Sequence, residues 1–187
     1  LDDGTRIGAA QVLVAGGPWT PQFLDGLAPA PPISRTWGVT VQARLAHPPR
    51  HILEEGVVHT VNAAEGQTGS LFSLVTAGEV VTVGSTFLVD EPNPEDLAPM
   101  LLQRGSAFVP ALAGAPVIAV RLCGRPQSAD GRPFIGAVPG AEGLYVCVGH
   151  GPWGMSTGPA SAAMAVDLMN GQDRVPPALR ADRAVSA

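Results

Sequence analysis

Apolar positions along this chain follow two rhythms, and the points where one gives way to the other mark out its segments. Gln11-Val12-Leu13-Val14-Ala15 is a short apolar run, which predicts a strand buried on both faces. It stops at Gly16-Gly17-Pro18-Trp19-Thr20-Pro21, where glycine permits a tight turn and a close backbone approach. A short helix and the extended crossover Pro29-Ala30-Pro31-Pro32 are expected next. From Ser34 to about Val89 the pattern is that of strands, predicted over Thr36–Leu45, Gly56–Asn62, Ser70–Thr76 and Val80–Phe87. Val39, Val41 and Ala43 alternate and so face inward together. Turns near Glu65-Gly66 and Ala77-Gly78 are short enough for an antiparallel meander.

Helical spacing takes over at Asn93-Pro94-Glu95-Asp96, with Asn as N-cap, Pro in the first helical position and acids in the first turn. Leu97, Met100, Leu101 and Phe108 fall roughly on one face, and Pro99 is expected to kink or restart the helix. Val117-Ile118-Ala119-Val120 reads as a strand leading into Arg121-Leu122-Cys123-Gly124-Arg125-Pro126. Leu144-Tyr145-Val146-Cys147-Val148 reads as another, followed by Gly149-His150-Gly151. Pro159 to Asn170 reads as a helix with Gly171 in the C′ position, and the Arg/Pro/Ala tail after Asp173 is expected to fray. Near the start, Asp2-Asp3-Gly4 is a turn signal.

Composition narrows the field. Hydrophobic residues make up 45% and charged residues 14%, the balance of a chain that buries a core. The net charge of −5, with no basic cluster, argues against a nucleic-acid partner. All 11 basic residues are Arg, so this chain supplies no lysine chemistry. The two cysteines, Cys123 and Cys147, make neither a disulfide scaffold nor a zinc site; a reducing compartment, hence the cytoplasm, is the expectation. No apolar run approaches the ~20 residues that span a bilayer. The opening Leu1-Asp2-Asp3-Gly4 has no Met and no signal-peptide pattern, and suggests a piece of a longer protein.

Three stretches, in order, resemble the D-amino-acid oxidase, glycine oxidase and sarcosine oxidase superfamily. Val12-Leu13-Val14-Ala15-Gly16-Gly17-Pro18-Trp19-Thr20 is similar to its Ala-x-Gly-x-Trp-Ser strand–turn segment, which passes close to FAD. Arg125-Pro126-Gln127-Ser128-Ala129-Asp130-Gly131-Arg132-Pro133-Phe134-Ile135-Gly136 resembles its Arg-Pro-x-x-x-Asp-Gly-x-Pro-x-x-Gly. Gly143-Leu144-Tyr145 through Gly149-His150-Gly151-Pro152-Trp153-Gly154 resembles its Gly-leu-tyr…Gly-His-Gly-x-x-Gly. The likeness runs from about Leu1 to Gly171. The family's opening Gly-x-Gly-x-x-Gly turn, whose helix holds the FAD pyrophosphate, has no counterpart ahead of Gly16, where Gly4 and Gly8 are the only glycines and their spacing does not fit.

The resemblance implies an α+β fold in two parts: residues 1–32 and 124–187 as the C-terminal portion of an FAD-binding α/β domain, and residues 33–123 as a substrate domain, a mostly antiparallel sheet with a helix. It implies FAD as cofactor and a small amine or amino acid as substrate. Arg125 takes the position of the Arg that holds the substrate carboxylate, where a planar fork gives bidentate geometry; the plain alternative is a loop Arg paired with Asp130. Cofactor contacts are implied for Gly16, Trp19, Gly149, His150, Gly151, Trp153, Gly154 and Met155, with backbone N–H groups at the flavin edge. A helix starting near Ser156 to Pro159 would add its positive end there. The same glycines also suit a plain strand-to-helix turn, and the His150 ring could cap it.

Cys123 lies seven residues before Asp130, the offset of the flavin-bonding cysteine in the sarcosine-oxidase branch, although a buried inert thiol is the commoner case. Oxidase and dehydrogenase both stay open. A truncated piece, a processed fragment and one subunit of a split enzyme stay open too, as does a non-catalytic, substrate-side subunit of a heteromeric flavoenzyme. In each case a missing N-terminal FAD-binding half or a partner subunit is expected, and a homo-oligomer would also cover the strand edge left bare.

Overall fold

The computed structural model describes residues 3–56 and 69–183. The strand predicted over Gly56–Asn62, apart from Gly56 itself, and the turn at Glu65-Gly66 lie outside the described residues. The fold is α+β with mostly antiparallel sheets. The chain divides into two compact units, Leu1–Arg35 with Arg125–Ala187, and Thr36–Gly124.

In the second unit the meander is present. Strands β2 (Ile33–Arg44), β3 (Leu53–Glu54), β4 (Gly69–Ala77), β5 (Val80–Phe87) and β6 (Val117–Ser128) form one sheet in the order β3-β4-β5-β2-β6. The β4–β5 hairpin closes at Ala77↔Val80 around Gly78 (φ +62), a two-residue loop with glycine first. Val39, Val41 and Ala43 are fully buried, as their alternation predicts. Val39 and Val41 pack against Ala98 and Leu101 of the helix Pro94–Ser106, while Ala43 joins Phe72, Leu74, Val81, Val83 and Leu112.

Helix α1 is the short Thr20–Leu24 and α2 spans Pro94–Ser106. Pro99 does not interrupt α2. It sits on the exposed face, and the only bond it forfeits is to the Glu95 carbonyl, which water can satisfy there. The predicted apolar face needs correction: Leu101 and Ala98 are buried, Met100 is exposed, and Phe108 lies past the helix end, stacked on Phe72 with ring centroids 4.5 Å apart.

In the first unit, β1 (Val12–Val14), β8 (Leu144–Val148) and β7 (Phe134–Ala137) form a three-stranded sheet in the order β1-β8-β7. β1 runs parallel to β8, and β7 antiparallel to it. β1 is therefore an edge strand and not buried on both faces; Val12 is 47% exposed. Helix α3 spans Gly154–Met169, starting before the predicted position, and tolerates Pro159 on an exposed face in its second turn. Gly171 follows the Asn170 cap with φ +81, the left-handed stop the sequence predicts.

The tail from Asp173 to Arg183 is not frayed. Val175 is buried with Ile135 and Ala165, the Ala181 N–H donates to the Ile135 carbonyl, and Arg180 pairs with Asp173 at 2.5 Å. The two partners of Ile135, Val175 and Ala181, lie at least 40 residues further along the chain, so local composition carried no sign of these contacts.

Candidate functional site

Two loops leave the carboxyl ends of the adjacent parallel strands β1 and β8, and each carries the tripeptide Gly-Pro-Trp, at 17–19 and 151–153. Each forms a single 3-10 turn that runs straight into a helix, α1 or α3. The backbones match residue for residue. Gly16 (φ −77, ψ 12) corresponds to His150 (φ −74, ψ −7), and Gly17 (φ +56) to Gly151 (φ +54). Trp19 (φ −93, ψ −2) corresponds to Trp153 (φ −93, ψ 4). In both, the Trp N–H donates to the carbonyl three residues back, at 3.1 Å. Because Val14 faces Val146 in register, the second turn lies two residues further along its strand, about 6–7 Å.

A left-handed φ is what restricts positions 17 and 151 to glycine. At Gly149 (φ +91) a second restriction is added. A Cβ there would sit 3.0 Å from Ile33 Cδ1 and 3.4 Å from Phe134 Cδ2. The glycines are thus required by the turn and its packing, and what remains turned outward is other matter. Trp19 is 45%, Trp153 63% and Met155 95% exposed. The N-terminus of α3 has no side-chain cap, which leaves first-turn N–H groups and the positive end of a helix of 16 residues available to an electron-rich partner.

The side chains around the second turn form a network. His150 does not cap the turn; its Nε2 meets the buried Ser161 hydroxyl of α3 at 2.9 Å, and burial holds the imidazole pKa below its ordinary value. Gln127 pairs with His150 in an isolated bridge, and its Nε2 donates to the Ser128 carbonyl at 3.0 Å. The buried Ser128 hydroxyl donates to the Gly149 carbonyl at 3.3 Å. Around the first turn the hydrogen bonds are fewer. Thr20 Oγ1 is buried and has no partner, and Arg35 lies over the Trp19 ring at 5.9 Å.

Arg125 is half-buried on β6, which runs on to Ser128, so it is a strand residue and not a loop residue. Asp130, the pairing partner in the plain alternative, is engaged by Arg183: Nε to Oδ2 at 3.0 Å and Nη2 to Oδ1 at 2.9 Å. Those bonds are the main reason its carboxyl is held down at about 2. Cys123 is exposed on β6, contrary to the buried thiol taken as the commoner case, while burial pushes the Cys147 thiol up. Of the expected site residues, Gly16 and Trp19 and then Gly149 through Met155 are gathered at one end of the β1–β8 pair. Sequence reasoning missed Ser128, Ser161, Thr20 and Arg183. The repeated Gly-Pro-Trp was the visible clue to the paired turns. Among the described residues no group of His, Cys, Asp and Glu could hold a metal ion, and no helix is long and apolar enough to cross a membrane.

The glycine oxidase of Pseudomonas putida is 27% identical over 172 residues, which cover 90% of this chain and 44% of that protein. The iminodiacetate oxidase of Chelativorans sp. BNC1 superposes with a TM-score of 0.70 at 25% identity, over 93% of this chain and 46% of that one. For the glycine oxidase of Geobacillus kaustophilus the TM-score is 0.76 at 22% identity, over 95% and 46%. The chain thus spans less than half the length of these relatives. The DAO family model, described as FAD dependent oxidoreductase, matches residues 1–168, and the chain belongs to that family of FAD-dependent oxidoreductases.

Proposed function

We propose that this chain is the C-terminal part of an enzyme that oxidises a small amino acid or amine of the glycine, sarcosine or D-amino-acid kind. The observation that carries the reading is the pair of congruent Gly-Pro-Trp turns at the carboxyl ends of parallel strands, the place where α/β sheets bind ligands. Gly16, Trp19 and the run Gly149, His150, Gly151, Trp153, Gly154 and Met155 would hold FAD, with the uncapped N–H groups of α3 facing its electron-rich edge. When bound, FAD accepts a hydride from the substrate carbon that bears the nitrogen. With the nitrogen's proton lost as well, the product is an imine, which water converts to the oxo acid and the free amine.

Arg125 holds the substrate carboxylate in this reading. Glycine and iminodiacetate, named for two of the relatives, share the unit N–CH2–COO⁻, which presents a carboxylate one carbon from the nitrogen. A fixed bidentate cation there orients the carbon–hydrogen bond, so positioning is the protein's main contribution. The domain roles follow: residues 1–32 and 124–187 on the cofactor side, residues 33–123 on the substrate side. The remaining part of the relatives' length would be supplied by further sequence or by a partner subunit.

The test is kinetic. In protein carrying the complementary FAD-binding part, Arg125→Ala should raise KM for a small amino acid about 100-fold and lower kcat as well, since the carbon–hydrogen bond is no longer held in line. Unchanged KM would remove Arg125 from the site.

A further inference from the structure

The family model ends at residue 168, yet the most heavily bonded side chain described in the first unit lies beyond it. Arg183 uses all five of its N–H donors. Nε and one Nη2 hydrogen go to Asp130, the other Nη2 hydrogen to the Arg132 carbonyl at 2.8 Å. Nη1 donates to the Pro133 carbonyl at 3.0 Å and to the Arg180 carbonyl at 3.1 Å. Its guanidinium lies 3.7 Å from the centroid of the Phe134 ring, and the side chain is only 8% exposed. An arginine this enclosed at the end of an Arg/Pro/Ala tail is there for what it holds.

What it holds leads to the second Gly-Pro-Trp turn by two routes. Phe134, covered on one side by Arg183, pairs with Val148 in the sheet and comes within 3.4 Å of where a Gly149 Cβ would be. Asp130, clamped by Arg183, is followed back along the chain to Ser128, whose hydroxyl bonds the Gly149 carbonyl. The carbonyls of Arg132 and Pro133 fix the segment between these two routes.

We infer that Arg183 is a positioning residue for the Gly149–Gly151 turn, acting through Phe134 and through Asp130 and Ser128. Lysine cannot replace it, since an ammonium has three donors, no plane to lay on Phe134 and no bidentate fork. The consequence for cofactor binding rests on the proposed function of that turn; the positional claim does not.

Amide exchange on the full 187-residue chain tests the position directly. Arg183→Lys and Arg183→Ala should exchange about tenfold faster in peptides covering 128–136 and 146–154, with 36–44 and 80–87 of the second unit unchanged. Asp130→Asn should reproduce part of the effect through the second route alone. Arg180→Ala, which removes only the surface pair with Asp173, should change 173–183 and little else. Wild-type exchange at 146–154 in Arg183→Lys, or changes confined to 173–183, would overturn the inference. In flavin-loaded protein, Arg183→Lys should also move the visible absorption bands, and bands identical to wild type would remove its link to the cofactor. Wild-type protein carrying the complementary FAD-binding part that takes up no flavin would instead defeat the proposed function, while the exchange result would still decide the role of Arg183.

Discussion

The two Gly-Pro-Trp turns have the same backbone and are held by different means. In the first, Pro18 and Thr20 are buried and Phe23 packs over Gly16, where a Cβ would come 2.6 Å from its ring; burial does most of the holding. In the second, Pro152 and Trp153 are exposed, and the turn is fixed by polar bonds from His150, Ser128 and, at one remove, Arg183. The tripeptide therefore dictates the turn, and the surroundings only decide how firmly it is kept. Apolar packing is indifferent to pH and to single hydrogen bonds. A polar network makes the turn exact in position and vulnerable to the loss of one member.

The largest break in this comparison should come from glycine. Gly149→Ala combines a left-handed φ with crowding against Ile33 and Phe134, and should cost about 3 kcal/mol in urea unfolding of the first unit. Gly17→Ala has the strained φ but open space around it, and should cost about 1 kcal/mol. Equal costs would show that the packing around Gly149 is unimportant.

Acid should separate the turns next. Both titrating anchors, His150 and Asp130, have lowered values in the fold, so each adds stability above its unfolded value and loses it as pH falls. Loosening of the second turn should begin as pH drops through 6.5 and deepen from about 4 down to about 2. Allowing for solvent screening, the Asp130 share is on the order of 1–2 kcal/mol. With Trp37→Phe as background, Trp153 fluorescence in Trp19→Phe should follow pH over this range, and Trp19 fluorescence in Trp153→Phe should not; parallel responses would dissolve the distinction.

The smallest effects should have opposite signs. Thr20→Val removes a buried hydroxyl without a partner and should stabilise by about 1 kcal/mol, whereas Ser161→Ala strips His150 of its partner and should cost about as much. Stabilisation by both would mean that the His150–Ser161 bond holds nothing.

The readability of this chain varied with the range of the interactions. The meander was legible because alternation in Val39, Val41 and Ala43 is a local signal, and the stop at Gly171 because a left-handed residue is a local demand. The gathering of Gly16, Trp19 and Gly149 to Met155 followed from family likeness, which carries the β1–β8 pairing with it. Phe108 was misplaced because helical periodicity cannot tell that the chain leaves the helix at Ser106. The docking of the tail through Arg183 was missed because Arg183 answers to Asp130 and Phe134, some 50 residues back, and nothing in Arg-Ala-Asp-Arg announces a long-range clamp. The edge position of β1 was missed for the complementary reason: apolar content signals a need for burial, and the partner that meets it need not lie in the same stretch of sequence.

That edge is a place where the stability of the first unit would become a matter of mass action. A separate chain that paired with Val12–Val14 would bind the folded strand and not the unfolded chain, so each tenfold rise in its free concentration beyond the dissociation constant would add about 1.4 kcal/mol. The melting point of the first unit would then be a property of the solution it is kept in.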